Sequence, residues 1–512
     1  MACMREKPVV GLDPNSNLIV VAAKEQRSKR SMIRRSIQSM KTIAKSAVAM
    51  SAIFLSATLH ASDKPNLLII QTDEHHFGTL GCYGGTIVET QNIDWLAEQG
   101  VLCTSFYAVT PVCSPSRASL ISGRYPQKTP VVTNNIPLNN NVITFASILS
   151  GQGYATGFAG KWHLDGNRKP QWSPERKFGF QDNRFMFNRG HWKKFSIDDG
   201  KPEIAARDEK GQPTYNLDGA NATTFSTDFL CDRAVDFIKR NSNNSFCYYV
   251  SLPDPHGPNT VRAPYDKMYA DVKVPIPLTL MRSPGQVPNW GKPDSKVTAA
   301  QLRRIMPAYY GMVKCIDDNV GKLIQTLKDE EVLDNTIIVF TSDHGDLCGE
   351  HGRLNKGVPY EGSARIPFVI YYPKMLPKGH LVHEALTTVD FFPTILSVMG
   401  VQGNHPSDGR NAMDLFQDNA QSEWQDLTFL RSTPGSEWLA AVSKQYKLVF
   451  SASDRPWLID LQNDPQEVTN LFGNPKYVKI IAQMRAGLVR YVKEHNDTHA
   501  RIPQIQSQLF SR

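Results

Sequence analysis

Apolar residues cluster in short continuous runs along most of this chain, and polar punctuation separates them. Asn66-Leu67-Leu68-Ile69-Ile70-Gln71-Thr72 is apolar on both faces, as a strand buried in a parallel sheet must be. Similar runs occupy residues 154–159, 246–251, 336–341 and 367–372. Between them, residues 90–99, 116–123, 143–151 and 308–333 carry helical composition or helical spacing of apolar positions. Strands alternating with helices predict a doubly wound α/β core. Residues 164–225 and 257–298 are richer in Gly, Pro, Asn and charge, and read as long functional loops.

The pattern changes near Glu423. Residues 439–442, 446–450 and 457–460 are short runs with turns between them, which predicts antiparallel strands, and residues 478–495 predict a terminal helix. The expected division is a leader over 1–61, a catalytic domain over 62–422 and a small C-terminal subdomain over 423–512. A chain of 512 residues exceeds what one small core organises.

Composition adds little beyond a globular class, with 41% hydrophobic and 21% charged residues. The formal charge of +8 is misleading. Residues 1–61 hold ten Lys/Arg and three acids, a local +7, so the remainder carries only +1. Anion selectivity therefore has to come from local clusters. In the same leader, Lys41 and Lys45 precede the apolar run from Ala47 to Leu55, and small residues follow to Ala57 or Ala61. That order is a secretory signal, so the expected location is secreted or periplasmic, with no stable membrane span after signal removal. Export also argues against nucleic acid as a partner. The eight cysteines show no CxxC spacing, and their pairing cannot be read from sequence.

Three acidic motifs end predicted strands: Thr72-Asp73-Glu74, Pro253-Asp254-Pro255-His256 and Ser342-Asp343-His344-Gly345-Asp346. Carboxylates gathered at one sheet edge repel unless a cation sits among them, and oxygen-rich ligand sets favour Ca²⁺ or Mg²⁺.

The most specific segment is Cys113-Ser114-Pro115-Ser116-Arg117-Ala118-Ser119-Leu120-Ile121-Ser122-Gly123-Arg124. It resembles the Cys-x-Pro-x-Arg signature of the type I, formylglycine-dependent sulfatases. Gly160-Lys161-Trp162-His163, Asp343-His344-Gly345-Asp346 and Lys356-Gly357 resemble later blocks of that family, and Ile459 to Pro465 resembles its C-terminal signature. The resemblance covers nearly the whole chain after the leader. It implies an alkaline-phosphatase-like α/β/α sandwich with a smaller C-terminal antiparallel sheet.

The resemblance also implies roles. Cys113 becomes Cα-formylglycine through a maturation enzyme of the host. Asp73, Asp343, His344 and residue 113 fall on metal-ligand positions. Glu74, where the family commonly has Asp, falls on another. Arg117 holds the modified residue and the metal site in register, while Lys161 and Lys356 bind sulfate oxygens. His256 protonates the leaving oxygen, and His163 deprotonates the second hydroxyl of the hydrated aldehyde so that sulfate is expelled. A serine could not perform that last step.

Substrate choice is expected in the loop after His163, where Arg168, Lys169, Trp172, Arg176, Lys177, Arg184, Arg189, His191, Trp192, Lys193 and Lys194 crowd together. Cations there could meet neighbouring sulfates, and Trp172 and Trp192 could stack on sugar rings. With its Thr-Asp-Glu-His opening, the chain looks most like bacterial polysaccharide sulfatases. A sulfated algal galactan such as carrageenan is the preferred substrate, and glycosaminoglycan is the alternative. A phosphonate or phosphodiester hydrolase of the same fold, and a non-catalytic protein that binds sulfated glycan, are the competing readings.

Overall fold

A computed structural model of the protein describes residues 64–283, 286–419 and 422–510. The expected leader and signal over 1–61 lie outside the described residues. Residues 64–512 belong to one compact unit.

An eight-stranded sheet forms the centre. In chain order its strands are β1 (Asn66–Asp73), β2 (Val101–Cys103), β3 (Ala155–Lys161), β4 (Asp182–Phe187), β5 (Phe246–Pro255), β6 (Thr336–Ser342), β7 (Phe368–Tyr371) and β8 (His380–Val382). The spatial order is β8-β2-β7-β6-β1-β5-β3-β4. Strands β6, β1, β5, β3 and β4 run parallel, and β7 is antiparallel to both β6 and β2. Every residue of β1 is buried, as its unbroken apolar run predicted.

Alternation along β1 explains the two layers. Leu68 and Ile70 join a core with helices α1 (Gln91–Gln99), α4 (Ser226–Asn241) and α5 (Ala299–Asp329). Leu67 and Ile69 face the opposite core, with α2 (Cys113–Ser122), α3 (Phe145–Gly151) and α6 (Thr388–Val398). Helix α5 starts nine residues earlier than its apolar pattern suggested, with Thr298 as its cap, and it contains Pro307. Burial of Leu302 and Met306 offsets the roughly 3 kcal/mol that an interior proline costs.

The segment 164–225 is not a continuous loop. It contributes the edge strand β4 and a hairpin of Phe195–Asp198 with Lys201–Ile204. Charged residues within these strands hid them from a reading based on apolar runs. Nor is 257–298 wholly irregular, since it holds a helical turn at Tyr265–Met268.

The last part of the chain forms an antiparallel sheet of β9 (Thr428–Arg431), β10 (Trp438–Val442), β11 (Tyr446–Ser451) and β12 (Trp457–Asp460), in that order. Helix α7 (Val478–Glu494) covers one face through Ile481, Met484 and Leu488. The other face packs Trp438, Val449 and Ile459 against Leu347, Val358 and Tyr360. The C-terminal sheet therefore supports the loop after β6. Lys447 Nζ reaches Pro359 O at 2.6 Å and Trp438 Nε1 donates to Gly357 O at 3.2 Å, which flanks Lys356 on its C-terminal side.

Candidate active site

The site lies where the parallel strands end. Asp73 closes β1, Lys161 closes β3, His256 follows β5, and Asp343 and His344 follow β6. Carboxyl ends of parallel strands form the usual ligand crevice of such sheets. Helix α2 begins there with Cys113, so its first residue is presented at the helix end that favours negative charge.

The Cys113 thiol is buried. Its Sγ lies 3.2 Å from His344 Nε2, 3.8 Å from Lys161 Nζ and 4.0 Å from Asp73 Oδ1. Burial pushes this thiol up, but the ammonium groups of Lys161 and Lys356 outweigh it and hold the thiol well below its ordinary value.

Arg117, one turn along α2, is the organiser. Its Nε donates to Asp343 Oδ2 at 2.9 Å and its Nη2 to Asp73 Oδ2 at 3.0 Å. Its Nη1 meets Gln71 Oε1, Lys161 O and Ser251 Oγ at 2.7–3.0 Å. One buried guanidinium thus ties β1, β3, β5, β6 and α2 together. Gly160 permits this closeness, because a Cβ there would stand 1.8 Å from Ser251 O.

Asp73, Cys113, Asp343 and His344 are all buried, with ligand atoms within 4.8 Å of one another. The donor set suits a divalent cation. Burial and the neighbouring charge of Asp73 both raise the Asp343 carboxyl, like-charge crowding that a cation would relieve. Burial pulls His344 down, but the Asp343 carboxylate carries it up to about 9.

Glu74 stands outside that four-residue group. Its carboxylate is 3.1 Å from Lys356 Nζ and 2.9 Å from His256 Nε2. Burial raises it, yet Lys356 and His256 bring it down to about 2. In the structure Glu74 thus contacts both a lysine and a histidine. Its backbone is left-handed, with φ 61°. Asp254 also leaves the acidic group: it is paired with buried Lys193 and accepts from Thr227 Oγ1. Asp346 caps the following turn, accepting from Cys348 N and Asn355 N.

Three histidines line the cleft: His163, His191 and His256. His256 Nε2 lies 2.8 Å from Lys356 Nζ, and its ring stacks on His191 at 3.5 Å. His191 Nε2 is 2.7 Å from Lys161 Nζ. His163 has φ 58°, an uncommon conformation for a non-glycine residue. Burial lowers it to about 4, so its ring is neutral at ordinary pH.

A cleft of about 160 Å³ opens above Cys113, lined by Lys161, His163, His256, Lys356, His191 and Arg189 among others. Neither Trp172 nor Trp192 lines it. Trp172 packs edge-on to Phe187 and Phe195, and Trp192 lies against Tyr215 with Nε1 donating to Arg189 O. Their apolar faces are spent on the core of the 164–225 segment. Several expected cations are likewise used internally: Arg176 binds Asp165, Arg184 binds Asp182, and Lys194 binds Asp218 O. Conversely, sequence reasoning missed Asn134, Asn135 and Tyr215 in the lining. Asn134 Oδ1 accepts from Ser114 N, and Asn135 Oδ1 approaches His163 Nε2 at 3.4 Å. Nothing in their local sequence marks them: Asn134 and Asn135 come from a turn ten residues beyond Arg124, and Tyr215 from the 164–225 segment.

The sulfatase family profile matches residues 65–401, well over half of the chain. The chain belongs to the sulfatase family. A second profile, the C-terminal part of N-sulphoglucosamine sulphohydrolase, matches residues 349–494. This sulfatase is 28% identical over 450 residues to an ulvan-active sulfatase of Formosa agariphila, covering 85% of the present chain and 82% of that protein. It is 30% identical to an arylsulfatase of Clostridium perfringens, with 83% and 94% covered. Its fold is similar to that of Ps i-CgsB solved with k-i-k-neocarrahexaose, at TM-score 0.65 and 22% identity, with 88% and 100% covered. The protein is accordingly a sulfuric ester hydrolase on the alkaline-phosphatase-like fold expected from its sequence. Among the described residues its seven cysteines are free, and no helix is long and apolar enough to cross a membrane.

Proposed function

We propose that this sulfatase removes sulfate from a sulfated polysaccharide or oligosaccharide, with an algal galactan of the carrageenan type preferred over glycosaminoglycan. Cys113, oxidised to formylglycine by a maturation enzyme, carries the reacting oxygen. The observation that carries this reading is the convergence on Cys113 Sγ of Lys161, His344 and Asp73 at 3.2–4.0 Å beneath a cationic cleft. The encoded Sγ stands for the oxygen of the oxidised residue. The ulvan-active relative supports a polysaccharide substrate, and the leader supports export to the periplasm or beyond.

Asp73, Asp343, His344 and residue 113 would hold Ca²⁺, or Mg²⁺ in its place, and the cation would supply the charge that makes a hydroxyl at residue 113 a better nucleophile. Lys161 and Lys356 meet the sulfate oxygens and neutralise charge that grows there. Glu74 holds Lys356 and His256 side by side, so His256 is aimed at the departing sugar oxygen and gives it a proton. His163, neutral above about pH 4, takes a proton from residue 113 and allows sulfate to leave. Arg117 keeps these parts in register without touching substrate.

Two measurements test the reading. Mass spectrometry of the peptide spanning Cys113 should show an aldehyde in place of the thiol; fully active enzyme with an unmodified thiol would refute the chemistry. A panel of defined sulfated oligosaccharides, read by NMR, should show one sulfate disappearing. Faster cleavage of matched phosphate esters would instead make this a phosphoester hydrolase on a sulfatase fold.

A further inference from the structure

Cations around the reacting centre are nearly all matched by a carboxylate. Lys161 and Arg117 pair with Asp73, Arg117 also with Asp343, Lys356 with Glu74, Lys193 with Asp254, and Arg176 with Asp165. Lys169 and Arg189 differ. Both line the cleft above Cys113, and neither has a carboxylate within 4 Å among the described residues. The cleft lining contains no Asp or Glu.

Both side chains are nonetheless placed by the fold. Lys169 Nζ lies over the rings of Trp192 and Tyr215, 5.4 and 5.7 Å from their centroids. Those aromatic faces orient the ammonium without neutralising it. Arg189 bonds through Nη1 to Asn167, again a neutral partner. The two segments are laced together, because Asn188 N and Arg189 N both donate to Pro170 O. Two positive charges thus stand at the mouth on a braced rim, beyond the lysines that meet the reacting sulfate.

We propose that Lys169 and Arg189 form a subsite for a second sulfate of the substrate, so that the enzyme prefers a saccharide sulfated at more than one position. This inference rests on the saccharide reading above and names which saccharides that reading favours. It also gives the aromatic pair a purpose. Trp192 and Tyr215, expected from sequence to concern the sugar ring in the first case and missed in the second, support the cation that reads the neighbouring charge. Charge–charge recognition of this kind appears chiefly as selectivity between substrates and as salt dependence.

The test compares kcat/KM for the mono- and disulfated forms of one disaccharide. Wild type should favour the disulfated form, and raising the ionic strength should narrow the gap. In K169Q/R189Q the ratio of the two kcat/KM values should fall about tenfold or more, the scale of one lost charge-assisted contact. K169R/R189K, which keeps both charges, should retain most of the ratio; a purely structural role would not show this pattern. An unchanged ratio in K169Q/R189Q, or equal losses on both substrates, would overturn the subsite. A second arm is independent of which sugar is cleaved. Inhibition of 4-nitrophenyl sulfate turnover by sucrose octasulfate should weaken about tenfold in the double variant. If wild type turns over the nitrophenyl ester but neither disaccharide, the saccharide reading has failed. The subsite is then judged on octasulfate alone, and an unchanged inhibition constant refutes it.

Discussion

His163 shows how single residues are tuned here. A histidine that serves as a base has to be unprotonated, and burial lowers this one to about 4. Its neutral form therefore persists well below the ordinary histidine value of 6.5. The acid-side fall of kcat/KM that belongs to His163 should be centred near pH 4, and it should vanish from the profile of H163Q together with most of the activity. An acid limb centred near 6.5 and moved by H163Q would contradict the assignment. Glu74 is set among the metal ligands by the family resemblance, and in the structure its carboxylate also meets Lys356 and His256.

Elements bring the residues together, and their joints hold buried charge. Lys193, in the segment after β4, is fully buried against Asp254 at the end of β5 and also donates to His256 O at 3.1 Å. It fixes the backbone that carries His256, the proposed proton donor. K193M would leave Asp254 buried without its partner and should cost about 3–5 kcal/mol, read as a lower urea midpoint. K193M/D254L should recover much of that loss in stability while kcat stays low, because the His256 carbonyl has still lost its donor. Full recovery of kcat would show that Lys193 is only structural. Long apolar runs such as β1, β5 and β6 were legible because burial on both faces leaves no polar alternation. Strand β4 and the 195–204 hairpin were not, since charge interrupts their apolar positions, although the hairpin pairs locally across Asp199-Gly200.

At the scale of the molecule, the proposed cation site and the C-terminal region are the places where clamping can be tested. Exhaustive chelation should abolish turnover and lower Tm, and Ca²⁺ should restore both, because a ligand that binds only the folded state stabilises it. Full activity in enzyme shown to be free of divalent metal would overturn the proposed metal site. The C-terminal region is held by Asp497, which forms an ion pair with Arg431 Nε at 2.9 Å and accepts from Tyr491 Oη at 2.7 Å. Burial raises this carboxyl, but His499 and Arg431 bring it down to about 2. A depressed carboxylate stabilises above its unfolded pKa near 3.9, and this contribution of about 2 kcal/mol is lost as pH falls toward 2. D497N should lower Tm at pH 7 and flatten the acid dependence of stability between those values; an unchanged acid profile would show that the pair contributes nothing.

The strands of the buried sheet, the Cys113 motif and most of the residues around it could be read from the amino-acid order alone. These depend on local composition and on spacing within single segments, both of which survive in one dimension. Only the folded chain shows which carboxylates gather around Cys113, which of the many cations in the 164–225 segment lack a carboxylate partner, and that a distant C-terminal sheet braces the loop beside Lys356. Those outcomes depend on who meets whom across hundreds of residues. Trp172 and Lys169 lie three residues apart in one basic, aromatic stretch, yet one packs against the core and the other stands at the mouth above Cys113.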